Sequence, residues 1–156
     1  MAFKSRLKKG AAITGVVVAL VGGFEGLRTV AYKDPVGIPT ICFGETKNVR
    51  MGMTATVEEC KAMLTESLVE HERGMAKCLR DPDSIPDKTY GAFLSFTYNV
   101  GVGAFCKSTL ARMANAGNLR GACDQLLRWT RAGGIKLPGL VKRREAEREL
   151  CLAGLK

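Results

Sequence analysis

Residues 24–44 read FEGLRTVAYKDPVGIPTICFG. Turn formers crowd this stretch: Asp34-Pro35, Gly37, Pro39 and Gly44, with Gly52 just beyond. Between them lie two short β-prone runs, Thr29–Tyr32 and Thr40–Phe43. Val, Thr, Tyr and Ile suit a pleated, half-buried surface, and Gly and Pro punctuate it. The spacing predicts a small antiparallel hairpin sheet. Downstream the pattern turns helical. Thr56-Val57-Glu58-Glu59 has the form of a capping box. Behind it Val57, Cys60, Leu64, Leu68, His71, Met75 and Cys78 recur at helical spacing. A long amphipathic helix is predicted from about Val57 to Leu79, stopped by Asp81-Pro82. His71 lies on its apolar stripe and reads as a core or boundary residue. Lys88 to Asn99 predicts a second helix with Phe93 and Phe96 inward, broken by Gly101 and Gly103. Lys107 or Ser108 opens a short helix that Gly117 closes. Asn118 caps another, running through Trp129, which reads as core. RAGGIKLPG (residues 131–139) reads as a loop, and Leu140 to Leu152 as the last helix, closed by Gly154. The class is α+β: a small N-terminal antiparallel sheet, then a helical body.

Composition agrees with a globular chain. There are 156 residues, 46% hydrophobic and 25% charged. One core of ordinary size fits that length, and disorder, collagen and a multi-pass membrane protein are excluded. Lys+Arg number 24 against 15 Asp+Glu, a net charge of +9. The excess is uneven. Lys4, Arg6, Lys8 and Lys9 precede any acid. From Lys107 onward there are 11 basic and 4 acidic residues, whereas Met51 to Cys106 has 5 basic and 8 acidic. A basic C-terminal surface is expected, suited to a polyanion. Charge alone does not choose among nucleic acid, anionic lipid and cell wall, and no nucleic-acid-binding motif is present.

Six cysteines stand at positions 42, 60, 78, 106, 123 and 151. No CxxC or Cys/His pair has zinc spacing, and His71 is the sole histidine, so no metal or other cofactor is expected. An even count favours disulfides and an oxidising compartment. The alternative is six reduced thiols in a cytosolic core.

Gly10 to Phe24, GAAITGVVVALVGGF, carries no charge over 15 residues and comes after four basic ones. That is the pattern of an export signal. The run is short of the roughly 20 apolar residues of a membrane span, and it is rich in Gly and Ala. Ala11, Gly15, Ala19 and Gly23 recur every fourth residue, forming one small-residue stripe on a helix. Three readings stand: a signal peptide cut near Gly23, a permanent anchor, or a weak anchor that later leaves the bilayer.

Glu25, Asp34 and Thr40 are the chemistry-bearing residues of the opening stretch. Two carboxyls and a hydroxyl suit glycoside hydrolysis. One carboxyl must be protonated to give its proton to the leaving sugar oxygen; the other must be ionised to support the transition state or activate water. Environment separates such roles. Glu25 comes after an apolar run, and Asp34 sits in a turn. The hydroxyl of Thr40 suits holding the attacking water. Taken alone, the trio reads equally as a surface Glu, a turn-capping Asp and a strand Thr.

The spacing Glu-x8-Asp-x5-Thr within this stretch resembles the phage-type lysozymes, glycoside hydrolase family 24. GAFLSFTYNVGVGAF (residues 91–105) resembles the family's central helix and the turn after it. LLRWTRAGGIKLPGLVKRREAEREL (residues 126–150) resembles its C-terminal segment. The resemblance runs from Phe24 to Leu152, with three separated motifs in order. It implies a lysozyme-like fold with an extra N-terminal helix. It implies Glu25 as general acid, Asp34 as second carboxylate and Thr40 as holder of the water, in an inverting hydrolysis. The implied substrate and partner is peptidoglycan, cut between N-acetylmuramic acid and N-acetylglucosamine. Asn99, Gly101, Arg131, Lys142 and Arg143 are the expected cleft or wall contacts, each equally readable as an ordinary surface or cap residue. One departure is visible: Glu45 comes after Gly44 where many relatives have histidine, so that histidine's salt bridge cannot form.

The resemblance also bears on the first segment. Cleavage near Gly23 would leave Glu25 at a frayed terminus, and a catalytic acid needs rigid support. The chain resembles the signal-anchor-release endolysins. It is therefore expected to hold residues 1–24 as an uncleaved segment ahead of a catalytic domain, residues 25–156. Residues 10–24 are expected in the host inner membrane, facing the periplasm, until release. The segment is then expected to pack on the domain as a helix, small stripe inward, in a periplasmic monomer. Periplasmic oxidation fits cysteine pairs between chain neighbours: Cys42–Cys60, Cys78–Cys106 and Cys123–Cys151. Two other functions remain at this point. A lytic transglycosylase would need one acid and no water. A non-enzymatic basic membrane-binding protein would not need Glu25.

Overall fold

A computed structural model describes residues 3–156. Eight helices and two small sheets occur in order among them. They are α1 (Arg6–Lys9), α2 (Ala11–Glu25), β1 (Arg28–Lys33), β2 (Pro39–Cys42), α3 (Val57–Lys77) and α4 (Asp87–Val100). Then come α5 (Val102–Lys107), α6 (Thr109–Asn115), α7 (Leu119–Gln125), β3 (Arg131–Ala132), β4 (Ile135–Lys136) and α8 (Pro138–Ala153). The chain forms two compact units. One is Leu7–Val69; the other joins the chain up to Arg6 with Glu70–Lys156.

The first unit carries the hairpin. β1 and β2 pair antiparallel, with Tyr32 opposite Thr40 and Lys33 opposite Pro39. The turn is built by Asp34-Pro35-Val36-Gly37, closed by the Gly37 N–H donating to the Asp34 carbonyl at 2.9 Å. Gly37 sits at φ 87°, where a Cβ would be strained. On its other edge β1 is bonded to the chain around Thr54: Ala31 N–H donates to the Met53 carbonyl and Ala55 N–H to that of Thr29, both at 2.9 Å. The capping box forms: Glu59 N–H donates to Thr56 Oγ1 at 3.0 Å, and α3 starts there.

The uncharged N-terminal run is a helix, α2, as its pattern implies. The face it buries differs from the expected one. Ile13, Val17 and Val21 are buried, whereas Ala11, Gly15, Ala19 and Gly23 are exposed. The reason is area: a buried Val or Ile side chain removes far more apolar surface from water than Gly or Ala. A Cβ on Gly15 or Gly23 would meet no atom within 4 Å. No described helix is long and apolar enough to cross a membrane.

The second unit is helical. α4 is its centre, with Thr89 through Thr97 all buried, and α8 packs against it. α8 ends at Gly154, and close packing keeps that position glycine: a Cβ there would collide with Thr89 Oγ1. Gly101, at φ 95°, ends α4 as expected. Gly103, expected to break the chain, instead lies inside α5, because the single turn at Gly101 already redirects it. The segment read as a loop holds a two-residue ladder, Arg131 opposite Lys136 and Ala132 opposite Ile135, around Gly133-Gly134. Both glycines have positive φ, which a tight hairpin needs. His71 meets Tyr98 at a tilt of 52°, ring centroids 4.9 Å apart, and Trp129 meets Phe96 edge-on at 5.1 Å.

An ionic cluster lies in this core. Glu147, fully buried, accepts from Arg144 at 2.5 Å, Ser95 Oγ at 2.6 Å and Arg143 at 3.3 Å. Arg144 also donates to the Trp129 carbonyl at 2.9 Å and to Asn99 Oδ1. Burial pulls the Arg144 guanidinium below its ordinary pKa, and the Glu147 carboxylate pushes it back up. Such a cluster is stable only complete, because one partner alone is a buried uncompensated charge.

Three disulfides close the cysteines: Cys42–Cys60, Cys78–Cys106 and Cys123–Cys151, with Cα separations of 5.0, 5.4 and 5.7 Å. Each bond restricts the unfolded chain.

Glu147→Ala is expected to cost about 3–5 kcal/mol, leaving two buried guanidinium groups unpaired. Urea unfolding checks it, and a loss below about 1 kcal/mol would contradict the assignment. Cys123→Ser with Cys151→Ser is expected to cost about 3 kcal/mol. The same titration, run without reductant, reads it; an unchanged midpoint would mean the bond contributes nothing.

Candidate active site

Glu25, Asp34 and Thr40 all belong to the Leu7–Val69 unit. Glu25 is the last residue of α2. The helix stops there because Gly26 takes φ 81° and returns its N–H to the Gly22 carbonyl at 3.1 Å. The last turn is placed by close approach. A Cβ on Gly22 would stand 3.0 Å from the ring of Phe43, so any larger residue would need that ring to shift. The acid is thus at an exposed helix end, and that end is seated on the residue just after β2.

Asp34 opens the hairpin turn. Its Oδ1 accepts two backbone N–H groups, from Val36 at 3.0 Å and Ile38 at 2.8 Å. Its own N–H donates to the Ile38 carbonyl at 3.0 Å. The carboxylate therefore cannot rotate freely. Oδ1 is the oxygen committed to the turn, and Oδ2 takes no part in it. Thr40 is 4% exposed and donates its hydroxyl to the Ile38 carbonyl at 2.9 Å. With the proton committed, its oxygen lone pairs face outward from that bond as acceptors. Ile38 thus fixes both groups, one through its N–H and one through its carbonyl.

Support for the hairpin comes from two contacts in place of a histidine bridge. Cys42, at the end of β2, is bonded to Cys60 on α3. Glu45 and Ile41 exchange backbone hydrogen bonds at 2.8 and 2.9 Å, and Glu45 Oε2 accepts from Ser67 Oγ at 2.9 Å. Both contacts tie β2 and the turn after it to α3.

The remaining expected site residues lie in the helical unit. Asn99 is held by Arg144 through its Oδ1. Gly101 is the left-handed turn between α4 and α5. Arg131 is exposed on β3 and donates to the Gly134 carbonyl at 3.1 Å. Lys142 is exposed on α8. Arg143 is only 4% exposed; it donates to Glu147 and to the Ser95 carbonyl, both at 3.3 Å. Arg144, Glu147 and Ser95 are not among the residues that the sequence singles out. A signal for them is present: Arg143 and Arg144 stand four and three residues before Glu147, a helical ion-pair spacing.

The profile of the phage lysozyme family matches residues 22–147. A SAR-endolysin of bacteriophage PS119 is 45% identical over 155 residues, covering 92% of each chain. Among solved structures, a phage P22 lysozyme mutant superposes with a TM-score of 0.82 at 32% identity, covering 97% of this chain and 99% of that one. The active form of the P1 phage endolysin Lyz gives 0.79 at 27% identity, covering 94% of each. With the family profile spanning both the hairpin and most of α8, this chain belongs to the phage lysozyme family and is a glycoside hydrolase of the muramidase kind.

Proposed function

We propose that the protein is an exported endolysin. It hydrolyses the β-1,4 bond between N-acetylmuramic acid and N-acetylglucosamine in peptidoglycan, lysing the host cell. One observation carries the reading: the fixed pair Asp34 and Thr40 stands on the hairpin immediately after Glu25, the end of α2. Glu25 gives its proton to the glycosidic oxygen as the bond from C1 breaks. A water held by the Thr40 oxygen and Asp34 Oδ2 attacks C1 from the opposite face and passes a proton to Asp34. That displacement inverts the anomeric centre. A transglycosylase would have no use for a second carboxylate locked by two N–H groups beside an acceptor hydroxyl. Arg131 and Lys142 meet the anionic wall from the basic C-terminal segment.

The same reading covers the N-terminal segment. Residues 10–24 insert in the host inner membrane during export and leave it on depolarisation, giving a periplasmic monomer. The PS119 relative is named a SAR-endolysin, which supports this. So does helix length: 15 residues of α2 rise about 22 Å, short of a hydrocarbon core of about 30 Å. Insertion of so short and glycine-rich a run is weak. While it is inserted, the acid has left its seat beside Phe43.

Two experiments test this. Purified protein and Glu25→Gln are added to outer-membrane-permeabilised Gram-negative cells, and turbidity is measured over time. The variant is expected to lose about 10²–10⁴-fold in clearing rate. Reducing-end sugars are expected as products; equal clearing by both proteins refutes the acid, and anhydro sugars refute hydrolysis. In the second, Gly15→Leu with Gly23→Leu strengthens the anchor at two positions where the released fold has open space. The double variant is expected to stay in the membrane fraction after depolarisation and delay lysis. Release at the parent's rate contradicts the weak-anchor reading.

A further inference from the structure

One fully buried carboxylate is not used by the reaction or by the ionic cluster of α8. It is Glu72 on α3. Its Oε1 accepts the Ser5 hydroxyl at 2.5 Å. Its Oε2 accepts the Arg6 backbone N–H at 2.7 Å and the Tyr90 phenol at 2.8 Å. Around this point the Arg6 side chain is held as well. Its guanidinium donates to the carbonyls of Ile85 and Pro82, both at 2.6 Å, and to Asp87 at 3.1 Å. It also lies over the Tyr90 ring, 4.0 Å from the centroid. Ser5 is 8% exposed, while Lys4, Lys8 and Lys9 lie at the surface. Of the four basic residues before α2, only Arg6 is turned into the body.

Ser5 and Arg6 therefore bring two of the three donors on Glu72. In sequence they precede the export-type helix, and the partners named above come after it. Basic residues that precede a membrane-inserted run stay on the cytoplasmic side. Glu72, Pro82, Ile85 and Tyr90 are exported. With residues 10–24 in the bilayer, about 30 Å of hydrocarbon separates the two sets of partners. They meet only after the segment has been withdrawn.

We propose that Glu72, Tyr90 and the carbonyls of Pro82 and Ile85 form a docking socket for the chain's own Ser5–Arg6, and that its filling latches the segment to the body after release. This rests on the anchored-then-released reading above. Contacts that exist in only one of two states shift the equilibrium toward that state. Here every contact of the socket with Ser5 and Arg6 belongs to the released state. The chemistry suits the task. A polar latch is compatible with a cytoplasmic, hydrated start, where an apolar one would favour the bilayer. Burial and the Glu72 hydrogen bond push the Tyr90 phenol well above its usual range, so it stays a donor. The socket is thus preset with one donor and lacks the two that the N-terminus carries.

The test uses the full chain, expressed in a Gram-negative host. Membrane and soluble periplasmic fractions are compared before and after an uncoupler dissipates the membrane potential. Glu72→Gln, Ser5→Ala and the double variant leave the charge of residues 1–9 unchanged. All three are expected to enter the membrane like the parent. After depolarisation, Glu72→Gln is expected to yield about tenfold less soluble protein, Ser5→Ala a smaller loss, and the double variant no more than Glu72→Gln alone. The soluble variants are also expected to be cut by trypsin at Lys8–Lys9 about tenfold faster than the parent. Release and trypsin resistance equal to the parent in both single variants overturn the latch. Should Glu72→Gln fail to fold, Ser5→Ala decides, since it changes only the docking segment. A parent chain found wholly soluble before depolarisation overturns the anchoring itself; a trypsin difference would then still report docking, separating the two failures.

Discussion

Glu25 is the terminal residue of the helix that carries the export pattern, and the rest of the site is arranged around that constraint. A proton donor, the role proposed for Glu25, must be held within a fraction of an ångström of its task. The apolar run supplies that hold by burying Ile13, Val17 and Val21, and Gly22 lets Phe43 close on the final turn. Asp34 and Thr40 are placed differently. They are fixed locally, by the hairpin turn and by one residue, Ile38. So half of the site is built by short-range bonds that form with the hairpin. The other half is carried by α2, the helix proposed above to leave the bilayer.

Buried charge marks the points where distant parts of the chain are joined. Glu72 and Glu147 are both fully buried. A buried carboxylate is tolerable only with its hydrogen bonds made. Glu147 draws α8, α4 and the chain at Trp129 together through Arg143, Arg144 and Ser95. Glu72 draws the N-terminus onto α3 and α4. Apolar packing would hold these elements with less penalty, but it would accept neighbouring registers. The bonded carboxylates accept one geometry, and each is weakened when a donor is missing. Disulfides add a second, covalent restraint, and Cys42–Cys60 sits next to the strand position that bears Thr40.

The hairpin and the long helices are legible in the sequence because their signals are local. Asp34-Pro35-Val36-Gly37 is turn chemistry in four residues, and Thr56 to Glu59 is a helix start in four more. The segment 131–139 reads as a loop because two-residue strands leave no alternation to detect. Gly103 misleads because glycine is tolerated in a helix when another position makes the turn. The face of α2 is misread for a different reason. A small-residue stripe signals close approach in a membrane, where packing drives association. In water the larger apolar side chains have the stronger claim on burial. Glu72 cannot be found from its neighbours in sequence, since its partners Ser5 and Arg6 lie 67 and 66 positions away.

The two faces of α2 carry different information. Val17 and Val21 are read by the folded enzyme, whereas Gly15, Ala19 and Gly23 open to solvent in it. Residues on that outer face add nothing to the packing of the folded chain, and under the proposed anchoring they would set how strongly the helix prefers lipid. If the helix is released from the bilayer as proposed, a virus carrying it holds a clock that single substitutions can reset. The hour of host death would then be adjustable without any change in the tool that causes it.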